Sequence, residues 1–290
     1  MTEKELDAII RLLDDPDTNV YNAVEKKICD EGEHVIPALE KVFLERDDNK
    51  IIQKRLGILL PKLENNATFK YIKNWRWEAS NSLVEFAYLI SKVKYFELSR
   101  DRFNEELDEL RIHIPRYSLE NYSPLERVKV MNYVFFRKMG FKPLPNNNYY
   151  GVNYGYPQYT LESKMGSPEI LALFYAIFAR EAGMPIHGVN LPKNFILAYA
   201  DDITKSRFYV NPLTNGSIFE KKEIDNFLSE MAQKPAVQFY APCKDDIFAL
   251  RILKRLHFTY IHSNEADRAK HIERLMGTFQ SQLSANISWV

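Results

Sequence analysis

The sequence predicts a predominantly helical α+β fold, and three observations carry that prediction. Glycine occurs only 10 times in 290 residues, well below the ~7% of an average protein. Helix-length apolar periods separated by Asp/Asn-rich breaks fill the N-terminal third. Further along, one almost wholly apolar helix is followed by three short β-rich runs before the pattern returns to helix. With 46% hydrophobic residues the chain can build a sizeable core.

Taken in order, Thr2 and Glu5 form a capping box ahead of Leu6, Ile9, Ile10 and Leu13, which share one helix face until Asp14-Asp15-Pro16-Asp17. A second helix fits Asn19 to Ile28, and Gly32 breaks the chain before a third from Val35 to Leu44. A fourth follows Asp47-Asp48-Asn49 and should end before Pro61. The run Leu12 to Val20, the Gly32 break and Val35-Ile36-Pro37-Ala38-Leu39 resemble the HEAT class of helical repeat over about one and a half units. Helical patterns continue through Asn81 to Val93 and Arg100 to His113.

Ser123-Pro124-Leu125-Glu126 combines an N-cap, a first-turn proline and a reciprocal Glu, so a helix runs from there to Gly140. The next segment, from Pro143 to Tyr159, is crowded with Pro, Asn and Tyr and should contain no regular helix. Its Asn146 to Tyr159 stretch forms a candidate binding lip. Ser167-Pro168 then opens a helix that closes at Gly183, and Leu171, Phe174, Tyr175, Ile177 and Phe178 mark it as centrally buried. Strands are expected at Ile186 to Val189, Phe195 to Tyr199 and Arg207 to Val210. Helices return at Lys222 to Met231, Asp245 to His262 and Glu265 to Phe279, the last two resembling a tetratricopeptide hairpin.

Composition excludes several function classes. The 39 Lys+Arg balance 39 Asp+Glu, and no basic cluster stands out, which argues against a nucleic-acid or anionic-membrane grip. Apolar runs such as Leu171 to Ala179 fall short of the ~20 residues that span a bilayer. Cys29 and Cys243 lie far apart, and Met1 leads into charged residues rather than a signal core; the expected setting is the reducing cytoplasm. The six histidines lack the short paired spacing of zinc sites, and no phosphate-binding glycine pattern occurs, so neither metal nor cofactor is expected.

Residues 124 to 220 resemble the transglutaminase-like superfamily, specifically its bacterial invasion-regulator branch. The resemblance rests on Met139-Gly140-Phe141, Asn148-Tyr149-Tyr150 with Asn153, Gly166-Ser167-Pro168, Gly183-Met184-Pro185-Ile186, Gly188 to Pro192 with Phe195, and Pro212 to Gly216. It implies a papain-like core, a central helix on a small antiparallel sheet. Helical repeats would occupy 1–114, the core 115–235 and a tetratricopeptide-like hairpin 236–290. It also implies a Cys at the helix start, where the dipole favours the thiolate, with a His and an Asp on the following strands. Those positions fall on Pro168, Asn194 and Asn211. An amide cannot take a proton near neutral pH, so the resemblance implies a site that binds rather than cuts. The expected partner is a peptide or protein, with carbohydrate as the alternative. The expected binding residues are Tyr149, Tyr150, Asn153, Tyr154, Asn190, Lys193 and Asn194. The rival reading is a hydrolase or acyl-transferase using Ser167 with His187.

Overall fold

The computed structural model describes residues 2–45, 49–77, 82–114, 119, 121–144 and 151–279. The chain is mostly helical and divides into two compact units, residues 1–74 with 89–99, and residues 75–88 with 100–290.

In the first unit, α1 (Glu3–Arg11) begins with the capping box of Thr2 and Glu5, and Asp17 caps α2 (Thr18–Glu31). Gly32 ends α2 at φ +71°, a conformation that penalises a Cβ. After α3 (Ile36–Glu45), Ile10, Leu13, Ile28 and Leu39 pack with Leu56, Leu59 and Leu60 of α4 (Lys50–Trp77). Arg55 on α4 donates to the carbonyls of Leu13 and Asp15 at 2.6 and 2.7 Å, fixing the turn that follows α1.

The expected break at Pro61 does not occur, because α4 runs through it to Trp77. A mid-helix proline forfeits one backbone hydrogen bond and crowds the preceding turn. Here the buried stripe continues past it with Leu63, Ala67 and Ile72. Tertiary burial of that stripe outweighs the local penalty.

The second unit takes the first part of α5 (Leu83–Lys92), up to Tyr88, and resumes with α6 (Arg100–Arg111); α7 (Pro124–Tyr133) follows, and its Ser123–Glu126 capping box and first-turn proline form as the sequence predicts. A π-helical turn at residues 134–138 carries Phe135 into an aromatic cluster with Phe141 and Tyr175. Two short strands, β1 (Lys142–Pro143) and β2 (Met165–Gly166), pair in parallel. Between them lies α8 (Pro157–Ser163), which corrects the expectation of no helix before Tyr159. Pro157 occupies its first turn, where the missing N–H costs nothing.

Helix α9 (Pro168–Glu181) is buried nearly all round, with Ser167 as its N-cap and Gly183 at φ +74° beyond its end. Beside it stands an antiparallel sheet in the order β3 (Ile186–Leu191), β4 (Asn194–Ala200), β5 (Arg207–Asn211), β6 (Ser217–Phe219). The three predicted strands are present, and β6 is an addition. The β3–β4 turn is Pro192-Lys193, with Lys193 at φ +54°. Val189, Leu191, Ile196, Ala198 and Tyr209 turn to one face and pack with Ile224 and Leu228 of α10 (Lys221–Glu230). The other face, by alternation, carries Gly188, Asn190, Phe195 and Leu197. Phe195 packs on Phe248 of α11 (Asp245–His262) with ring centroids 4.5 Å apart. The last element, α12 (Ala266–Gly277), packs along α11.

The loop after β5 is locked to α9 through α7. Tyr175 donates its hydroxyl to Asn132 Oδ1 at 2.8 Å, and Asn132 Nδ2 donates to the Gly216 carbonyl at 2.6 Å. A Cβ at Gly216 would lie 2.0 Å from that Oδ1, and its φ is +75°, so only glycine fits. Among the described residues, no helix is long and apolar enough to cross a membrane.

Candidate functional site

The two ends of α9 gather the polar chemistry of the second unit. At its start, Ser167 is 1% exposed and its hydroxyl accepts from the Ile170 N–H at 3.4 Å, the ordinary duty of an N-cap. The Ser167 N–H donates to the Tyr154 carbonyl at 2.8 Å, which fixes the described part of the lip against the helix start. Gly155 allows the lip to approach α11, since a Cβ there would lie 2.6 Å from Leu256. Pro168 follows as the first helical residue, buried and without a polar side chain.

Glu169 occupies the next position, where the helix dipole favours a carboxylate. Arg251, reaching from α11, donates to Glu169 Oε1 at 3.3 Å, to Asn190 Oδ1 at 3.5 Å and to the Leu191 carbonyl at 3.4 Å. Glu169, Asn190 and Arg251 are 4, 8 and 8% exposed, so this is a closed polar cluster. One turn along α11, burial and then the nearby Arg251 charge hold Lys254 below the ordinary lysine range.

The strand register puts Asn194 and Asn211 at the same end of the sheet as Leu191, the end that Arg251 ties to the start of α9. Each lies two residues from Ile196 or Tyr209 on its strand and so shares their face, the one packed against α10. Both amide oxygens serve the local backbone: Asn194 Oδ1 accepts from Phe195 N–H at 2.9 Å, and Asn211 Oδ1 from Leu213 N–H at 3.0 Å. Of the expected binding residues, Asn153 and Lys193 are exposed and Tyr154 is half-buried. Tyr154 stacks edge-on against Tyr159 with centroids 5.2 Å apart. Asn190 is turned inward to Arg251 instead. Tyr149 and Tyr150 lie outside the described residues.

At the far end of α9, Arg180 grips Asp245 through two hydrogen bonds of 2.6 and 2.9 Å and donates Nε–H to the Ile186 carbonyl at 2.8 Å. These residues border a cleft of about 720 Å³ that His187 and Cys243 also line. Burial, followed by the Arg180 charge, lowers the His187 pKa. Burial, followed by Asp245, pushes the Cys243 thiol up to about 12. A protonated thiol beside a neutral imidazole is a weak nucleophile pair. His187 therefore stands beside Arg180, whereas Ser167 caps the opposite end of this 14-residue helix, ~20 Å away at 1.5 Å per residue. The structure does not bring the suggested Ser167–His187 pair together.

Sequence reasoning missed Glu169 and Arg251. The signal was there in outline: each is a lone charge inside an apolar helical run, Glu169 ahead of Ile170 to Ala179 and Arg251 between Leu250 and Ile252. Fully buried charges of this kind are rare unless paired.

No solved structure matches the chain. Among curated proteins it is similar to a UPF0162 protein of Xylella fastidiosa strain 9a5c, 26% identical over 195 residues, covering 64% of this chain and 68% of the relative. It is also similar to a UPF0162 protein of strain Temecula1, 25% identical over 224 residues, covering 73% and 74%. A family model described as the transglutaminase-like superfamily matches residues 101–254. That span includes the α9 helix with its polar start, the whole four-stranded sheet and the arginine that closes the cluster, and since it exceeds half the sequence, the chain belongs to the transglutaminase-like superfamily.

Proposed function

We propose that this is a non-catalytic transglutaminase-like protein, a peptide- or protein-binding scaffold of the cytoplasm whose core has lost its hydrolytic triad. The reading extends to the finer organisation: HEAT-like helices over 1–114, a papain-like core over 115–235, a tetratricopeptide-like hairpin over 236–290, and descent within the invasion-regulator branch.

The observation that carries it is the chemistry at the start of α9. Pro168 takes the position at which the superfamily resemblance implies a cysteine, and a proline offers no nucleophile. The polar groups at the start of α9 and at the two strand positions of the implied triad are committed to holding the fold. Ser167 caps the helix, the Asn194 and Asn211 oxygens accept from neighbouring backbone N–H groups, and Glu169 and Asn190 are bound to Arg251. In this reading the exposed Asn153 and the half-buried Tyr154 of the lip, together with Lys193 and Asn194, meet a peptide or, as the alternative ligand, a carbohydrate; Tyr149 and Tyr150 would extend the same wall.

The test is to assay purified protein against peptide, amide and transamidation substrates together with a thiol-directed active-site probe. The expected result is no turnover above the buffer rate, with labelling confined to Cys29 and Cys243. Turnover that disappears in Ser167→Ala would overturn the reading.

A further inference from the structure

A second surface of the core has the makings of a docking site, for a reason rooted in strand lengths. Strand β6 stops at Phe219, paired with Tyr209, so the beginning of β5 extends beyond it. Where β6 would continue, the chain instead starts α10 at Lys221. Arg207 and Lys221 both line a pocket of about 340 Å³ together with Tyr209, Val237, Tyr240 and Ala241. Its aromatic lining is tied together by hydrogen bonds. Tyr209 donates its hydroxyl to the Tyr240 carbonyl at 3.0 Å, and Tyr240 donates to Asp225. The Asp225 carboxylate, one turn along α10 from Lys221, is engaged by that hydrogen bond.

The lining carries two cations and no carboxylate, on a chain whose net charge is zero. Arg207 is exposed and makes no ion pair among the described residues, and the Lys221 ammonium lies 4.8 Å from the Tyr240 ring centroid. Apolar exposure concentrates nearby. The two most exposed large apolar side chains among the described residues are Ile203, at 93%, and Val237, at 84%. Val237 lines the pocket, and Ile203 stands in the β4–β5 turn that Asp201 and Ser206 close just before Arg207. Exposed apolar groups beside a preformed aromatic pocket mark interaction surfaces. A volume at the low end of ligand sites suits one inserted side chain rather than a cofactor.

We propose that this surface docks an acidic segment of a partner protein, its carboxylates on Arg207 and Lys221 and one apolar side chain in the Tyr209–Tyr240 pocket. The surface is independent of the lip at the start of α9, so it goes beyond the function proposed above and can fail separately from it.

The experiment is fluorescence anisotropy with three labelled hexapeptides: one alternating acidic and apolar residues, one with glycine in place of the apolar residues, and one with lysine in place of the acids. The first should bind about tenfold more tightly than either of the others, a difference of ~1.4 kcal/mol. Arg207→Glu combined with Lys221→Glu should reverse the preference between the acidic and lysine peptides, and Val237→Asp should weaken binding of the first. All three positions are exposed, so thermal melts of these variants should match the parent. Tyr154→Ala should leave this binding unchanged. Equal binding of the three peptides, no binding at all, or indifference to the double charge reversal would overturn the proposal while leaving the reading of the α9 start untouched.

Discussion

The two ends of α9 obey the same electrostatic rule and reach opposite outcomes. Glu169 sits in its first turn and Arg180 in its last, so each charge opposes the local pole of the helix dipole. Each then takes a partner from α11, Arg251 and Asp245 respectively. The difference is water. At the start, the side chains of Arg251 and Glu169 are 9 and 5% exposed, whereas at the end those of Arg180 and Asp245 are 30 and 16% exposed beside an open cleft. A charge pair sealed from solvent fixes geometry at the expense of desolvation, while one that keeps water can be remade around a ligand. The end at which the superfamily resemblance implies chemistry is the sealed one.

Breaking the sealed pair should therefore have the largest effect. Arg251→Ala leaves the Glu169 carboxylate buried with its cation gone, and loss of one partner of a buried pair costs about 3–5 kcal/mol. Chemical denaturation of the variant should show a destabilisation in that range. Arg251→Met combined with Glu169→Gln removes both charges at similar volume and should recover much of it. A loss from Arg251→Ala no larger than that of a surface pair, below about 1 kcal/mol, would mean that the cluster is wetter than its burial indicates.

At the open end the same substitution should matter less. Arg180→Ala removes the two hydrogen bonds to Asp245 and the one to the Ile186 carbonyl, but Asp245 can rehydrate through the cleft. The expected loss is about 1 kcal/mol, in keeping with partly screened pairs. If Arg180→Ala proved as costly as Arg251→Ala in the same denaturation series, the contrast between the two ends would fail.

What could be read from the sequence follows the range of the interactions involved. Helix starts are short-range chemistry, and Thr2 with Glu5, Ser123 with Glu126, and Ser167 before Pro168 all cap where their residue types predict. The β3, β4 and β5 runs were legible from their β-branched and aromatic content, and the glycines at 32 and 183 from their positions past helix ends. The continuation of α4 through Pro61 was not, because it depends on what Leu63, Ala67 and Ile72 bury against, a tertiary fact. Strand β6 has only three residues and exists through pairing with Tyr209, Val210 and Asn211. At the site, the positions of Pro168, Asn194 and Asn211 could be named by counting along motifs. Which amide turns inward could not, since Asn190 and Asn194 flank one turn and only the pleat separates their faces. The Glu169–Arg251 pair spans 82 residues of sequence, beyond any local pattern.

The smallest expected effect concerns protons at the open end. His187 lines the cleft with Arg180, while Asp245 and Asp202 also act on it. Burial first and the Arg180 charge second lower its pKa in the folded protein, whereas the unfolded chain takes up a proton at about 6.5. The unfolded state therefore binds more protons as the pH falls below that value, and the stability His187 contributes is full above about pH 6.5 and is lost on acidification towards its folded pKa. His271 on α12 acts in the same direction over a window that also opens at about pH 6.5 but extends further down, its pKa pushed down to about 4 by burial and then by Arg274. Melting temperatures measured from neutral to mildly acidic pH should fall for the parent protein. In His187→Asn the fall below pH 6.5 should be shallower, and adding His271→Asn should flatten it further down to about pH 4, below which carboxylates held down by hydrogen bonds, such as Glu126 and Asp201, still give a slope. If His187→Asn left the profile unchanged, the imidazole would be titrating as it does in water, and the open end of α9 would be more fully hydrated than the half-burial of His187 suggests.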